Sequence, residues 1–496
     1  MKSVTILTIA AMAMAAATGC SHDTPTPSPE PPVKGGEFNE FGFTTTAPVT
    51  LSVDYGDMAG MPANVYFEVY DTCPVEETET AYAKIAGVEP LYAGYTDGQG
   101  RFEGTIELPA YIRKAYVLTP AFYARTLLEA TRSGDMLTAS AESGAPANAA
   151  PASTRAKEYH STAVERDGWK TWLGSYDTTY GSIGYEYDGD LKVKNYGALL
   201  KAHASVFDTT KKCPKEYRSS RDLYLEKSAE VVITLLGSNT CWNSSMGYYY
   251  YKTGNKPKSL ADANVVMIFP NTQDGRWSNS PWESRLYQGV ERGTAVQLIY
   301  YPEIADGSKA GATTVFPADY RIGFVLATNA WTNRLRAGDK KYRAATSDGL
   351  SVNNNGVAYQ TPRTAVFRYT DKKSGINSVL FSFEDHTNDE NFSDVVFTMT
   401  SNPVDAVTDI PSVDVNDGKK TANVLRGIYA FEDLWPSRGD YDMNDVMVRS
   451  DYEKVFNEKG VFEESFMLKT FANFAGNANG LAVTLTGAAA DAKLEF

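Results

Sequence analysis

Alternation of apolar and polar residues runs through most of this chain and predicts β-strands. The alternation is strict at residues 49–55 and 65–70, as expected for a sheet with one buried face. The clearest later strands lie at residues 231–236, 265–269, 296–300, 322–326 and 379–383. Few helical periods separate these runs, which favours antiparallel sandwiches over βαβ units. The predicted fold is therefore all-β, with several antiparallel β-sandwiches.

Shifts in composition divide the 496 residues into segments. Five prolines between Thr24 and Lys34 predict a semi-rigid tether of polyproline II type. A stretch rich in Ala, Ser and Pro predicts a flexible linker. The predicted organisation is a signal peptide (1–19), a tether (20–40), an Ig-like N-terminal sandwich (41–121), a linker (122–165), a larger jelly-roll-like central sandwich (166–402) and an incomplete C-terminal β domain (403–496).

The N-terminus carries the features of a lipoprotein signal peptide. Lys2 precedes a short apolar run, and small residues lead directly to Cys20. We expect cleavage before Cys20 and acylation of that residue, with an ordinary secretory signal as the alternative. The run is shorter than the roughly 18 apolar residues of a membrane helix. The expected location is the outer membrane, lipid-anchored and facing the cell surface.

The net charge of -14 becomes -15 when Lys2 is removed with the signal peptide. A chain of this charge repels phosphate groups, so we expect no nucleic-acid partner. Three cysteines remain besides Cys20, namely Cys73, Cys213 and Cys241, and none has CxxC spacing. A Cys213–Cys241 disulfide and a pair of free buried thiols both remain open.

Two acid-rich motifs stand between apolar runs and are the strongest indication of chemistry. The downstream motif spans residues 431–448 and the upstream motif spans residues 383–397. Aligned on the final Asp of each, they repeat one pattern of oxygen-bearing side chains. The candidate metal ligands are Glu432, Asp433, Asp440, Asp442, Asn444 and Asp445 downstream, and Glu384, Asp385, Asp389, Asn391 and Asp394 upstream.

The spacing of Asp440, Asp442 and Asn444 is that of the first three ligands of a calcium loop. A bound cation would also relieve the repulsion between neighbouring carboxylates. Calcium is therefore the predicted cofactor. Two alternatives remain open. The acids cap turns by bonding backbone amides, or a pair of them acts as the acid and base of a glycosidase.

Aromatic residues supply candidate glycan contacts. Trp242, Trp277 and Trp282 sit in polar loops and are the predicted ligand-binding residues. In the run of tyrosines from 248 to 251, successive rings point to opposite faces of a strand, so two are expected in the core. No nucleophile elbow, phosphate loop or HExxH motif occurs in the sequence.

From about residue 169 onward the chain resembles the LruC-domain lipoproteins of Gram-negative bacteria, in particular those of the Bacteroides group. The matching segments are 243–251, 269–271, 316–318, 322–331, the upstream acidic motif and 429–445. The resemblance implies two adjacent domains of unassigned function. It also implies a C-terminal domain longer than this chain provides, so we expect a C-terminally truncated product.

The sequence therefore predicts a non-enzymatic, surface-exposed envelope lipoprotein. Its β domains would bind a glycan or protein partner and would be stabilised by calcium. The alternatives are a glycan-processing enzyme that uses the acidic motifs, and a structural subunit of a surface appendage.

Overall fold

A computed structural model describes residues 7–8, 46–56, 64–77, 82–141, 159–160, 169–177, 180–194, 196–274, 288–332, 336–337, 343–371, 376–386, 389–412, 420–433, 442–457, 459–483 and 494–495. Antiparallel sheets dominate, and the prediction of an all-β, multi-domain fold is confirmed. Among the described residues, no helix combines the length and apolar character needed to cross a membrane. The predicted signal peptide, Cys20 and the tether lie outside the described residues, apart from a two-residue strand β1 (Leu7–Thr8).

The N-terminal module is one seven-stranded sheet. Its strands are β2 (Thr46–Asp54), β3 (Tyr66–Tyr70), β6 (Tyr92–Tyr95), β7 (Arg101–Pro109), β8 (Lys114–Leu118), β9 (Leu127–Ser133) and β10 (Met136–Ser140), while β4 (Val75–Glu77) and β5 (Tyr82–Lys84) form a separate hairpin. The order is β6-β3-β8-β9-β10-β2-β7. Strands β9 and β10 lie within segment 122–165, so the linker prediction was wrong for these residues.

The central module is a sandwich of two sheets. Its strands and helix are β11 (Tyr159–His160), β12 (Trp169–Trp172), β13 (Tyr176–Asp177), α1 (Gly197–Val206), β14 (Leu223–Leu225), β15 (Ala229–Ser238), β16 (Ser245–Lys252), β17 (Val265–Phe269), β18 (Ala295–Gln297), β19 (Val315–Phe316), β20 (Tyr320–Ala327), β21 (Trp331–Thr332), β22 (Arg336–Ala337), β23 (Arg343–Ala345), β24 (Thr364–Asp371), β25 (Ile376–Phe383), β26 (Val395–Asn402) and β27 (Val407–Thr408). Short 3-10 turns occur at Lys215–Tyr217, Leu260–Asp262 and Ile304–Asp306.

The two central sheets face each other across an aromatic core. One sheet has the order β12-β17-β16-β20-β14-β27, and the other has the order β18-β15-β26-β25-β24. Phe324 of the first sheet meets Phe381 and Phe397 of the second, with ring centroids 5.1 and 5.0 Å away. All three rings are buried. Burial of large apolar side chains from both layers is the main stabilising contribution to this module.

A second apolar cluster connects the N-terminal module with the central sandwich. Leu199 and Phe207, at helix α1, pack together with Val117 of the N-terminal sheet and with Phe367 and Val396 of the second central sheet. The sequence patterns do not predict α1, whose short run lacks an acidic first turn and a side-chain cap. Its buried residues nevertheless help to fill the space between the two modules.

The three cysteines in the described part of the chain are free. Cys213 is buried in the cluster that includes Phe207 and Phe392, whereas Cys241 belongs to a different cluster together with Cys73. The open choice for Cys213 and Cys241 is therefore answered in favour of two buried thiols.

The C-terminal module is a three-stranded meander of β28 (Lys420–Phe431), β29 (Val446–Asn457) and β30 (Gly460–Asn473). Ala422 and Phe456 pack against Tyr66 and Ala93 of the N-terminal module. A final two-residue strand, β31 (Leu494–Glu495), pairs in parallel with β1. Cleavage before Cys20 would remove β1 from the mature chain.

Candidate metal centre

The two acidic motifs are the loops of two antiparallel β-hairpins. The upstream loop joins β25 to β26, and Phe383 pairs with Val395 at its base. The downstream loop joins β28 to β29, and Phe431 pairs with Val446 at its base. The sequence repeat is therefore a structural repeat, because equivalent residues occupy equivalent places in the two hairpins.

Equivalent hydrogen bonds close the two loops. The Asp394 carboxylate accepts the backbone N–H of Asp385 at 2.6 Å, and the Asp445 carboxylate accepts that of Asp433 at 2.8 Å. Each final Asp thus ties its loop back to the end of the preceding strand.

A glutamate makes the second closing bond in each loop. Glu384 accepts the backbone N–H of Phe392 at 3.1 Å, and Glu432 accepts that of Met443 at 3.3 Å. Phe392 and Met443 have φ values of 60° and 55°. A non-glycine residue rarely adopts this left-handed conformation, and its occurrence at matching positions shows that the described C-terminal ends of the two loops share a backbone feature.

Turn capping accounts for two of the predicted ligands. The Asn391 side-chain oxygen accepts the N–H of Ser393 at 2.7 Å, and the Asp442 carboxylate accepts that of Asn444 at 3.3 Å. Asp442 also accepts the side-chain amide of Asn444. Turn capping by backbone amides is therefore the observed role of these two side chains.

Three carboxylates converge in each hairpin. Upstream, oxygens of Glu384, Asp385 and Asp394 all lie within 4.8 Å of one another, and downstream the same is true of Glu432, Asp433 and Asp445. Asp389 and Asp442 do not belong to these sets. The structure thus brings together six predicted ligands, and Asp440 lies outside the described residues.

The upstream carboxylates are almost completely buried. Glu384, Asp385 and Asp394 are 0%, 4% and 3% exposed. Burial raises the pKa of Asp385 to about 7, and the charge of Asp389 contributes in the same direction. Burial, followed by neighbouring carboxylates, raises the pKa values of Glu384 and Asp394 well above their usual range. Ionisation of this cluster is costly without a compensating positive charge.

Two arginines near the upstream loop pair with Glu384 and Glu390, and neither pairs with Asp385 or Asp394 among the described contacts. Arg363 lies 3.3 Å from Glu384 and 3.7 Å from Glu390, and Arg218 lies 3.3 Å from Glu390. Asp385 instead accepts the hydroxyl of Thr240 at 2.5 Å. The upstream loop therefore contains more carboxyl groups than basic groups.

The donor set fits a hard divalent cation. Calcium takes six to eight oxygen ligands, and carboxylates are its usual charged ligands. The buried hydroxyl of Ser393, in the same upstream loop, has no hydrogen-bond partner within the described part of the chain. Glu384, Asp385 and Asp394 would hold the ion upstream, and the half-buried Glu432, Asp433 and Asp445 would hold one downstream.

Of the three tryptophans predicted to bind glycan, the structure describes Trp242. The Trp242 ring packs edge-on against the His386 ring, with centroids 5.1 Å apart, so it adjoins the upstream loop. Trp277 and Trp282 lie outside the described residues. Gln273 donates to the Thr240 and Trp242 carbonyls at 2.9 and 3.3 Å and braces this neighbouring loop.

Sequence reasoning missed Thr240 and Arg363, which contact the site from distant parts of the chain, and Gln273, which bonds the backbone of the loop that carries Thr240. Arg363 is 1% exposed and is among the largest fully buried side chains. A buried arginine requires a carboxylate partner, but the sequence gives no indication that Arg363 is buried.

Comparison with known proteins identifies two matching families. Residues 47–141 match a domain of unknown function (DUF8469), and residues 316–402 match another domain of unknown function (DUF4114). The second match includes the complete upstream hairpin. No curated protein matches the chain, and no solved structure does so either.

Proposed function

We propose that this protein is a non-enzymatic envelope lipoprotein of the LruC-domain type, in which calcium closes two acidic hairpin loops. Acylated Cys20 would anchor it in the outer membrane, facing outward, and the β domains would bind a glycan or protein partner. The lipobox-like segment ending at Cys20 supports the anchor, and the repeated hairpin supports the calcium role.

The main support is the excess of buried carboxylates inside a closed loop. Three acids with at most 4% exposure converge upstream, and Arg363 pairs with only one of them. A divalent cation would neutralise the remaining charge and fill the coordination positions between them. Because the loop is closed by hairpin pairing, the ion would stabilise the end of the sandwich rather than meet a substrate.

Burial of the upstream acids supports a structural role for that hairpin over the glycosidase alternative. Glycosidase carboxyl groups stand about 5 to 9 Å apart on either side of a bound sugar. The upstream acids are buried, which leaves little room for a pyranose between them. The downstream pair of this kind, Glu432 or Asp433 with Asp440, includes a residue outside the described part of the chain.

Calorimetric titration with calcium tests the proposal. Asp394→Asn and Asp445→Asn each remove one converging charge and retain an oxygen that can accept the closing hydrogen bond. We expect each variant to lose the binding heat of its own hairpin and the double variant to lose both.

Asp405→Asn is the matched control, because exposed Asp405 pairs with Lys227 away from both hairpins. Absence of calcium heat in the wild-type protein would refute the calcium role. Unchanged heat in the double variant would place the ion elsewhere. A separate Cys20→Ala variant that remains in the membrane fraction would refute the lipid anchor.

A further inference from the structure

A polar cleft of about 390 Å³ opens beside the central sandwich. Tyr251 and Arg321 line it from β16 and β20, and Asp222 lines it from the segment before β14. Strand β16 begins beside the loop that contains Thr240 and ends at this cleft. The cleft is therefore at the opposite end of that strand from the upstream acidic hairpin.

Two stacked tyrosines hold one wall of the cleft rigid. The Tyr249 ring lies over Gly323, where an added Cβ would come within 2.3 Å of the ring. Tyr251 stacks on Tyr249 with centroids 6.5 Å apart and an interplanar angle of 13°. The Tyr249 hydroxyl donates to Ser347 at 2.7 Å, and the Tyr251 hydroxyl donates to Asp222 at 2.6 Å. Both rings are thus fixed before any ligand arrives.

Asp222 is a fixed acceptor in the cleft wall. Its side chain is buried, and it accepts hydroxyl hydrogen bonds from Tyr251, Thr346 and Ser347. Three hydroxyl donors hold the carboxylate in one orientation. Such pre-orientation favours recognition of a ligand by position as well as by charge.

Donors and acceptors are balanced around the opening. The basic residues are Arg221, Lys256 and Arg321, and the acidic residues are Asp222, Asp348 and Asp409. Arg221 pairs with Asp409 at 3.1 Å, and the Arg321 guanidinium stacks over Tyr224 at 5.1 Å. The formal charges cancel. An anionic ligand would face three carboxylates, and a cationic ligand would face three basic groups.

The geometry points to a binding site for one neutral sugar unit of a glycan. Sugar hydroxyls both donate and accept hydrogen bonds, so they match a lining that contains both carboxylates and basic groups. The Tyr251 ring offers apolar surface to the C–H face of a pyranose. The volume is within the usual range of about 300 to 1,000 Å³ for small-ligand sites. The inference rests on the proposed binding role and assigns that role to this cleft instead of the predicted tryptophans.

Saturation-transfer NMR on the mature full chain tests the site. The probes are the methyl glycosides of mannose, galactose and N-acetylglucosamine, with glucuronate and glucosamine as charged comparators. We expect transfer to at least one neutral glycoside and weaker transfer to both comparators. Tyr251→Leu should raise the dissociation constant at least tenfold. Lys256→Ala changes an exposed residue and should also weaken binding, which provides a second test if Tyr251→Leu fails to fold.

Tyr111→Leu is the matched control, because Tyr111 is an exposed tyrosine of the N-terminal module. It should leave binding unchanged. Wild-type affinity in both cleft variants would overturn the cleft assignment while leaving a glycan-binding role intact. Absence of transfer to every neutral glycoside, or strongest transfer to a charged comparator, would overturn the ligand class. Neither result alters the calcium titration, which tests the hairpins separately.

Discussion

Neutralising one buried acid should stabilise the calcium-free protein. Asp385 is 4% exposed, and burial raises its pKa from 3.8 to about 7. A shift of about three pH units corresponds to roughly 4 kcal/mol, at about 1.4 kcal/mol per unit. Asn at this position retains an oxygen that can accept the Thr240 hydroxyl. We therefore expect Asp385→Asn to raise the free energy of unfolding by up to about 4 kcal/mol at pH 8 in chelator.

The sign of the effect follows from proton binding. Between about pH 4 and pH 7 the folded Asp385 carboxyl retains a proton that the unfolded chain has released, so wild-type stability falls as the pH rises through this window. The advantage of Asp385→Asn should be complete above pH 7 and absent below pH 4. Saturating calcium should narrow the difference, because only the wild-type loop keeps all three converging carboxylates and so gains the full binding free energy.

Guanidinium unfolding followed by tryptophan fluorescence is a suitable assay. All seven tryptophans lie at or after residue 169, so the signal does not report on the N-terminal module. Asp405→Asn serves as control and should not be stabilised in chelator, because Lys227 favours its charged form. A lower unfolding free energy for Asp385→Asn than for wild type in chelator would refute the idea that the buried charge is uncompensated.

Two further predictions concern buried titratable groups. Burial lowers the pKa of His203 to about 3. The stabilisation that the neutral imidazole provides is therefore complete above pH 6.5. As the pH falls toward 3, it is lost at about 1.4 kcal/mol per pH unit. Between pH 6.5 and 4 the stability advantage of wild type over His203→Gln should therefore shrink in denaturation curves, and a constant difference would contradict the assignment. Native-state alkylation followed by peptide mass analysis should modify half-buried Cys73 before Cys213, whose pKa burial raises to about 12. Equal modification of the two thiols would contradict the described burial.

The strands and the repeated motif were predictable because both depend on local pattern. Alternation at residues 49–55 becomes β2, and the continuous apolar run at 231–236 lies within the buried strand β15. Alignment of the two motifs on Asp394 and Asp445 also reproduces the equivalence of their hydrogen bonds. The local sequence was therefore sufficient to predict that the two hairpins have equivalent residues at equivalent positions.

The N-terminal boundary was not predictable from composition. Ala130 and Ala139 have no exposed surface in β9 and β10, yet alanine-rich sequence is also typical of linkers. Small inward side chains reflect close packing in the folded module, which depends on residues far away in the chain. For the same reason, the sequence around Thr240 and Arg363 does not predict that their side chains contact the acidic loop.

Thermal unfolding of the mature wild-type chain in calcium and in chelator tests directly whether calcium stabilises the two acidic hairpins. At calcium a hundredfold above its dissociation constant, binding adds about 2.7 kcal/mol to the free energy of unfolding. This corresponds to a rise in Tm of about 5 to 10 °C for a domain the size of the central sandwich. We expect that rise for wild type and its loss in the Asp394→Asn, Asp445→Asn double variant. The same Tm in calcium and in chelator would contradict it.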